Sequence, residues 1–395
     1  MNLKKTISIA LLLTSMCTVN VFASDGDTKL LSNNTSIQSN QDVLVDDDTR
    51  IYGTLDKVIK NTNFKFKVPD YRLSGFKNIS SFRIYKTDNG KAYVNFFFEK
   101  GNESFYDFNI GTEDLKSVIT EEYKSPTKSS IIKTTPKTIA GIQGEEMVCK
   151  YNSTAYNSLG IENESRYFLW KSEGIYYSIR CYDFCEGRLG VEINNTELSN
   201  IITSMKDPKE ISNINYNEEI KIDKDTEYYN IYIYDKDDLA ESEEILGFKP
   251  KLVINNDIKP KRINATYEYR DYDDKLAGEK GTWKFKIDYV LDNEFKFDLV
   301  ESKNSIVYDE IKNEDYTFTS NKSKKDDLDI TTKKLEINNQ IVYEARLESA
   351  KGSASNSMTY AFEKDGIYYE IYKNTSDKND EGKIEKAISL LLSDN

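Results

Sequence analysis

A chain of 395 residues with a formal charge of −13 and no histidine is long enough for two or three domains, each burying its own core. The missing imidazole excludes the Ser-His-Asp and Cys-His triads, the HExxH zinc helix and the usual proton shuttle. The acidic balance repels phosphate backbones and anionic lipid head groups, so nucleic acid is not an expected partner.

Residues 1–23 carry the three parts of a secretory signal peptide: Lys4 and Lys5, the apolar run Ile7 to Leu13, and the small-residue site Val21-Phe22-Ala23. Thr14, Ser15, Thr18 and Asn20 interrupt that run short of the ~18 residues a spanning helix needs. Cleavage near Ser24 is therefore expected, and acylation of Cys17 is disfavoured by the bulky Met16 before it. Losing Lys4 and Lys5 takes the formal charge from −13 to −15. The expected product is secreted, or held at the cell surface by non-covalent contacts, with no membrane span after cleavage.

Residues 24–45 are rich in Ser, Asn, Asp and Gln and read as a disordered leader. A first repeat over 46–207 opens with Thr54 capping a short helix, Asp56 to Lys60. Alternating strands are expected at 64–68, 81–86, 91–98, 105–110, 145–151 and 166–171, with a turn at Asp88-Asn89-Gly90. A helix over 197–205 places Leu198, Ile201, Ile202 and Met205 on one face. Residues 208–225, polar and carrying Pro208, read as a linker. The second repeat, 226–394, runs in the same order. Tyr228 to Tyr234 alternates as a half-buried strand, and Asp238 caps a helix ending near Gly247. Phe248-Lys249-Pro250-Lys251-Leu252 mirrors Phe64-Lys65-Phe66-Lys67-Val68. Strands follow at 263–269, 282–291, 294–300, 340–347 and 358–363, and a closing helix over 383–392 aligns Ile384, Ala387, Ile388 and Leu391.

One hairpin occurs twice. Trp170 precedes Glu173-Gly174-Ile175-Tyr176-Tyr177, and Phe362 precedes Asp365-Gly366-Ile367-Tyr368-Tyr369. Gly174 and Gly366 supply the positive φ of a two-residue turn and set Trp170 on Phe362 and Tyr176 on Tyr368. The expected fold class is α+β: two tandem domains, each a mainly antiparallel sheet flanked by an N-terminal and a C-terminal helix.

With these features the chain resembles a tandem exported domain of unknown function from spore-forming Gram-positive bacteria, also seen as the extracytoplasmic part of some anti-sigma factors. The matching features are the opening helix with its Phe-Lys-x-Lys segment, the aromatic-x-x-acidic-Gly-Ile-Tyr-Tyr hairpin and the closing helix. The resemblance covers most of 46–394 and implies no catalytic residues. The chain departs from the anti-sigma architecture in having no cytoplasmic sigma-binding region and no spanning helix, which argues against a direct transcriptional role.

Signal removal leaves Cys149, Cys181 and Cys185; an odd number leaves one thiol free or paired between molecules. Export permits a disulfide between Cys149 and Cys181, and the weaker alternative is a zinc site completed by Asp183. Ser125-Pro126-Thr127-Lys128 matches S-x-x-K and Ser393-Asp394-Asn395 matches S-D-N, but the third motif of penicillin-recognising enzymes is missing. Asp377 to Gly382 resembles the start of a calcium loop whose twelfth position is Ile388 rather than Glu. Asp271-Tyr272-Asp273-Asp274 reads as a solvated turn. No catalytic residue, metal ligand or cofactor is assigned, and the binding residues are unknown.

The expected function is an exported non-catalytic binding or sensing protein for an unknown envelope or extracellular ligand. The alternatives are a structural protein of the envelope or spore surface, and a secreted hydrolase using carboxylates or a Ser–Lys pair. The first repeat holds all three mature cysteines and an Asn-rich insertion over 152–165, so 46–207 is expected to carry any ligand binding.

Overall fold

The computed structural model describes residues 43–45, 47–78, 81–86, 91–101, 104–123, 130–151, 163–185, 188–218, 228–268, 281–292, 294–314, 328–349, 356–375 and 380–393. The signal peptide, the leader up to residue 42, the turn at 88–90, Ser125–Lys128, Asp271–Asp274 and most of the 152–165 insertion lie outside them. So do residues 377–379 of the calcium-loop match and Asp394-Asn395 of the S-D-N match. The chain divides into two compact units, 48–220 and 221–395, the latter joined by residues 39–47.

The first unit contains β1 (Thr49–Tyr52), α1 (Leu55–Asn61), β2 (Val68–Pro69), β3 (Lys77–Asn78), β4 (Phe82–Lys86), β5 (Ala92–Lys100) and β6 (Ser104–Gly111). It continues with α2 (Leu115–Tyr123), β7 (Ser130–Ile139), β8 (Ile142–Tyr151), β9 (Asn163–Ser172), β10 (Ile175–Cys185), β11 (Arg188–Glu192), α3 (Asn195–Thr203) and β12 (Met205–Lys206). Its main sheet is antiparallel in the order β1-β4-β5-β6-β10-β9-β8-β7, with β3 on β5 and β11 on β10. The second unit contains β13 (Tyr228–Tyr232), α4 (Lys236–Leu246), β14 (Ile258–Glu268), β15 (Thr282–Leu291), β16 (Phe295–Ser302) and α5 (Ile306–Lys312). Then come β17 (Leu328–Ile337), β18 (Gln340–Ser349), β19 (Asn356–Lys364), β20 (Ile367–Thr375) and α6 (Glu381–Leu392). Its order, β13-β14-β15-β16-β20-β19-β18-β17, repeats that of the first unit. Both units are thus α+β and built on antiparallel sheets.

The hairpins follow from local chemistry. Glu173 and Gly174 take φ of 52° and 85°, and Asp365 and Gly366 take 56° and 78°. Two consecutive positive φ values give the turn whose twist matches paired strands. Ser172 therefore faces Ile175, and Lys364 faces Ile367. Ala140-Gly141 and Asn338-Asn339 make the same turn ahead of β8 and β18, so β7 and β17 extend each sheet beyond the strands expected from alternation.

Each core lies on one sheet face. In the first unit Phe82, Phe96, Phe98, Tyr106, Phe108 and Ile110 have no exposed surface. Leu55 and Val58 of α1 are buried, as are Leu198, Ile201 and Ile202 of α3. Phe96 and Phe108 stack at 5.2 Å. Full burial of each such side chain stabilises by about 1.5–3 kcal/mol. In the second unit Phe285, Ile287, Leu299 and Ile371 share a cluster with Ile384, Ala387 and Ile388 of α6. On the opposite faces, α2 packs Leu115 and Ile119 near Met147 and Tyr167, and α5 packs Val307 and Ile311 near Ala345 and Ala361.

Four expectations change. Of Phe64–Val68 only Val68 is in a strand, Val68-Pro69, which pairs with Met205-Lys206; the Lys67 N–H instead donates to the Tyr177 hydroxyl at 3.1 Å. The mirror segment at 248–252 likewise forms no strand, and Pro250 offers no N–H to a ladder. Residues 208–218 are not a linker, because Ile214 and Tyr216 are buried in the first unit. Val43–Val45 are not disordered leader: the Leu44 N–H donates to the Tyr234 carbonyl at 2.8 Å and Val45 joins the second core. Finally, α4 is capped by Asp235, whose side chain accepts the Asp238 N–H at 2.9 Å, while Asp238 turns back to the Tyr234 N–H.

Candidate functional site: a polar pocket beside Asp70

Beyond α3 the first unit continues into a return segment that folds back on β2. Ser204 ends the helix, and β12 lies antiparallel to β2, with Met205 opposite Pro69 and Lys206 opposite Val68. Asp207 then caps a single 3-10 turn, Pro208–Glu210, by accepting the Lys209 N–H at 3.0 Å. Tyr216 closes the segment, donating from its hydroxyl to the Pro69 carbonyl at 2.7 Å.

Asp70 is the centre of this arrangement. Its side chain is 1% exposed. Oδ1 accepts the N–H of Ser212 at 3.0 Å and of Asn213 at 2.7 Å. Oδ2 accepts Lys206 Nζ at 2.6 Å, Ser212 Oγ at 3.1 Å and Asn213 Nδ2 at 3.1 Å. Burial alone pushes this carboxyl up, but Lys206 and the N–H groups of Asn213 and Ser212 outweigh it and hold it well below the usual carboxylate range. Beside it opens a cavity of about 410 Å³, walled by Tyr71, Asn200, Thr203, Lys206 and Asn213. Asn200 and Thr203 sit three apart in the last turn of α3 and so share a side of the helix. A carboxylate with about four lone-pair sites is filled by these donors. Asp70 therefore fixes its neighbours and has no capacity left to take up a proton from a substrate.

With Lys67 set on Lys251, the position of Asp70 is held by Ile254, which is 45% exposed. The second unit therefore has no carboxylate at the position that centres the pocket.

A second polar group lies on the α2 face of the same sheet. Arg180 Nε and Asp107 Oδ1 stand 2.8 Å apart, an ion pair that is not aligned as a hydrogen bond. Arg180 Nη1 is 3.9 Å from Asp183, which accepts Ser165 Oγ at 2.7 Å. The guanidinium also lies 5.3 Å from the Phe105 ring and 5.4 Å from the Tyr167 ring. Burial raises the Asp107 carboxyl while Arg180 draws it back. Arg180 stays charged against the pull of burial because Asp107 faces it. These groups balance one another's charge across β6, β9 and β10, which makes them a brace.

The hairpin motif is structural. Trp170 stacks on Tyr177 at 5.2 Å and Phe362 on Tyr369 at 4.8 Å. Tyr176 lies under Lys171 Nζ at 4.4 Å, and Tyr368 packs on Tyr308 of α5 at 5.1 Å. The disulfide is corrected: no disulfide joins Cys149, Cys181 or Cys185. Cys149 is on β8 and Cys181 on β10, with β9 between them. Next-but-one strands are about 9–10 Å apart, beyond the Cα separation a disulfide tolerates. The Cys181 thiol instead reaches the Arg166 carbonyl at 3.4 Å, and burial pushes its pKa up to about 11. Among the described residues no three Cys, Asp or Glu side chains gather as a metal site. No described helix is long and apolar enough to cross a membrane.

The pocket residues were missed for a physical reason. Pro69-Asp70-Tyr71 stands where the repeats diverge, against Val253-Ile254-Asn255, and that divergence was the available signal. Its partners Ser212 and Asn213, 142 and 143 residues away, lie in a stretch whose polar composition reads as linker.

No family model matches the chain, and no curated protein matches it. A solved chain described as "The complex structure of Pseudomonas aeruginosa MucA/MucB" overlaps 82% of this chain and 87% of its own, with 5% identity and a TM-score of 0.16. At that TM-score the overlap carries no argument about fold or function.

Proposed function

We propose that this is an exported, non-catalytic binding or sensing protein, cleaved from its signal peptide and acting at the envelope or outside the cell. Its recognition site is the Asp70 pocket of the first unit. The reading extends to architecture: each sheet with its flanking N- and C-terminal helices is one copy of a tandem exported domain, and the first copy has acquired the site. The observation that supports it is the buried Asp70 carboxylate, whose five accepted hydrogen bonds hold Lys206, Ser212 and Asn213 in place beside an open cavity. Such support from buried neighbours is what fixes a binding constellation.

Retention of the full mature chain on envelope fractions of the producing cell tests this. Thr203 is exposed at the cavity wall, so Thr203→Trp fills the space without touching the core. Retention lost in that variant supports the site; retention equal to that of the unaltered chain refutes it.

A further inference from the structure

We infer that the Asp70 pocket takes a neutral sugar ring of an envelope or extracellular glycan, an assignment that rests on the pocket being a binding site. Charge is the first argument. The two charged groups at the cavity, Asp70 and Lys206, are paired with each other at 2.6 Å, so the wall presents no net charge. A cation finds no free carboxylate, because Asp70 already accepts five hydrogen bonds, and the neutral amide oxygens that remain hold a metal ion weakly without one. An anion gains little from a lysine already neutralised, and stands beside a buried carboxylate.

The remaining surface suits hydroxyls. Asn200 and Asn213 are exposed, and an amide offers both a donor and an acceptor to the vicinal hydroxyls of a sugar. Asn213 Nδ2 gives one of its two N–H groups to Asp70, which fixes the amide at the wall. Lys206 gives one N–H to Asp70 and keeps others for a hydroxyl oxygen.

Tyr71 supplies the apolar part. It follows Asp70 directly and keeps 36% of its surface exposed at the cavity wall. A rigid ring with a polar tip offers a flat face to the C–H side of a sugar. An extended peptide is instead read along a sheet edge or an apolar groove, whereas these walls are polar and come from the end of α3, the two-residue strand β12 and the residues that follow β2. The depression of about 410 Å³ is open to solvent, so it has room for one sugar ring and leaves the rest of a glycan in water.

Saturation-transfer NMR on the full mature chain tests the assignment, with N-acetylchitotriose and cellotriose as neutral probes and polyglutamate and inorganic phosphate as anionic ones. Transfer to ring C–H protons of at least one sugar is expected. Tyr71→Phe should keep it, while Tyr71→Ala should weaken binding about tenfold, the equivalent of about 1.4 kcal/mol, with an unchanged melting curve. No transfer to either sugar, transfer undiminished in Tyr71→Ala, or transfer only to an anionic probe overturns the assignment. If Thr203→Trp still abolishes envelope retention while neither sugar binds, the sugar class falls and the binding site stands. If retention is also indifferent to that substitution, both fall.

Discussion

Glu301 offers the sharpest test of the packing. It lies on β16 with no exposed surface, opposite Phe285 on β15 and Tyr369 on β20. Oε2 accepts the Lys251 N–H at 2.9 Å, and Oε1 has no hydrogen-bond partner. Lys251 directs its own Nζ to the Ser393 carbonyl at 2.7 Å. Burial pushes the Glu301 carboxyl up to about 8, with the Lys251 N–H and charge pulling weakly the other way. The folded unit therefore keeps a proton that the unfolded chain releases near the ordinary glutamate value of about 4.3. Between those two values the native state binds more protons than the unfolded state, so stability falls as pH rises and levels off above about 8. At 1.36 kcal/mol per unit, the loss across that window is on the order of 4–5 kcal/mol.

Glu301→Gln keeps the acceptor for Lys251 and removes the titration. The variant should lie within about 1–3 kcal/mol of the parent near pH 5 and overtake it by pH 8. Denaturant unfolding of the full chain from pH 5 to 9 reads this, in a Trp170→Phe background that leaves Trp283 as the second unit's reporter. Parallel pH profiles for the parent and Glu301→Gln would refute the reasoning.

Asp70→Ala strands the donors of Ser212 and Asn213 and should destabilise the first unit by roughly 2 kcal/mol, seen as an earlier transition by Trp170 fluorescence. Because its folded pKa is depressed, the stability Asp70 supplies is present above the ordinary aspartate range and lost as pH falls below it; acid titration of the parent against Asp70→Asn checks the direction. Gly366→Ala meets no atom within 4 Å but must hold φ near +78°; the expected cost is about 1 kcal/mol, measured by chemical denaturation, and a neutral result would contradict the turn. With no bridge between Cys149 and Cys181, a reductant should leave the melting temperature unchanged, and a clear drop would show that one exists.

Local chemistry was enough for the hairpins and the closing helices. Glu173-Gly174 and Asp365-Gly366 set their turns from two residues each, and Leu198, Ile201 and Ile202 or Ile384, Ala387 and Ile388 set a buried helical face within three turns. The local signals for α2 and α5 are slight, chiefly Ser305 capping α5; at nine and seven residues both are too short to hold without the sheet face beneath them. Glu301 sits at an inward position of a strand whose alternation includes Phe297 and Leu299, yet only the packed core shows that its charge is excluded from water. Residues 208–218 look like linker because their polar groups suit solvent equally well. Their place was decided by Asp70, whose lone pairs are filled by a segment brought back from 136 to 143 residues along the chain. Turn geometry and periodicity act between neighbours and are written in the sequence; the pairing of β6 with β10 and the filling of a buried carboxylate depend on which distant surfaces meet, and tertiary structure alone decides that.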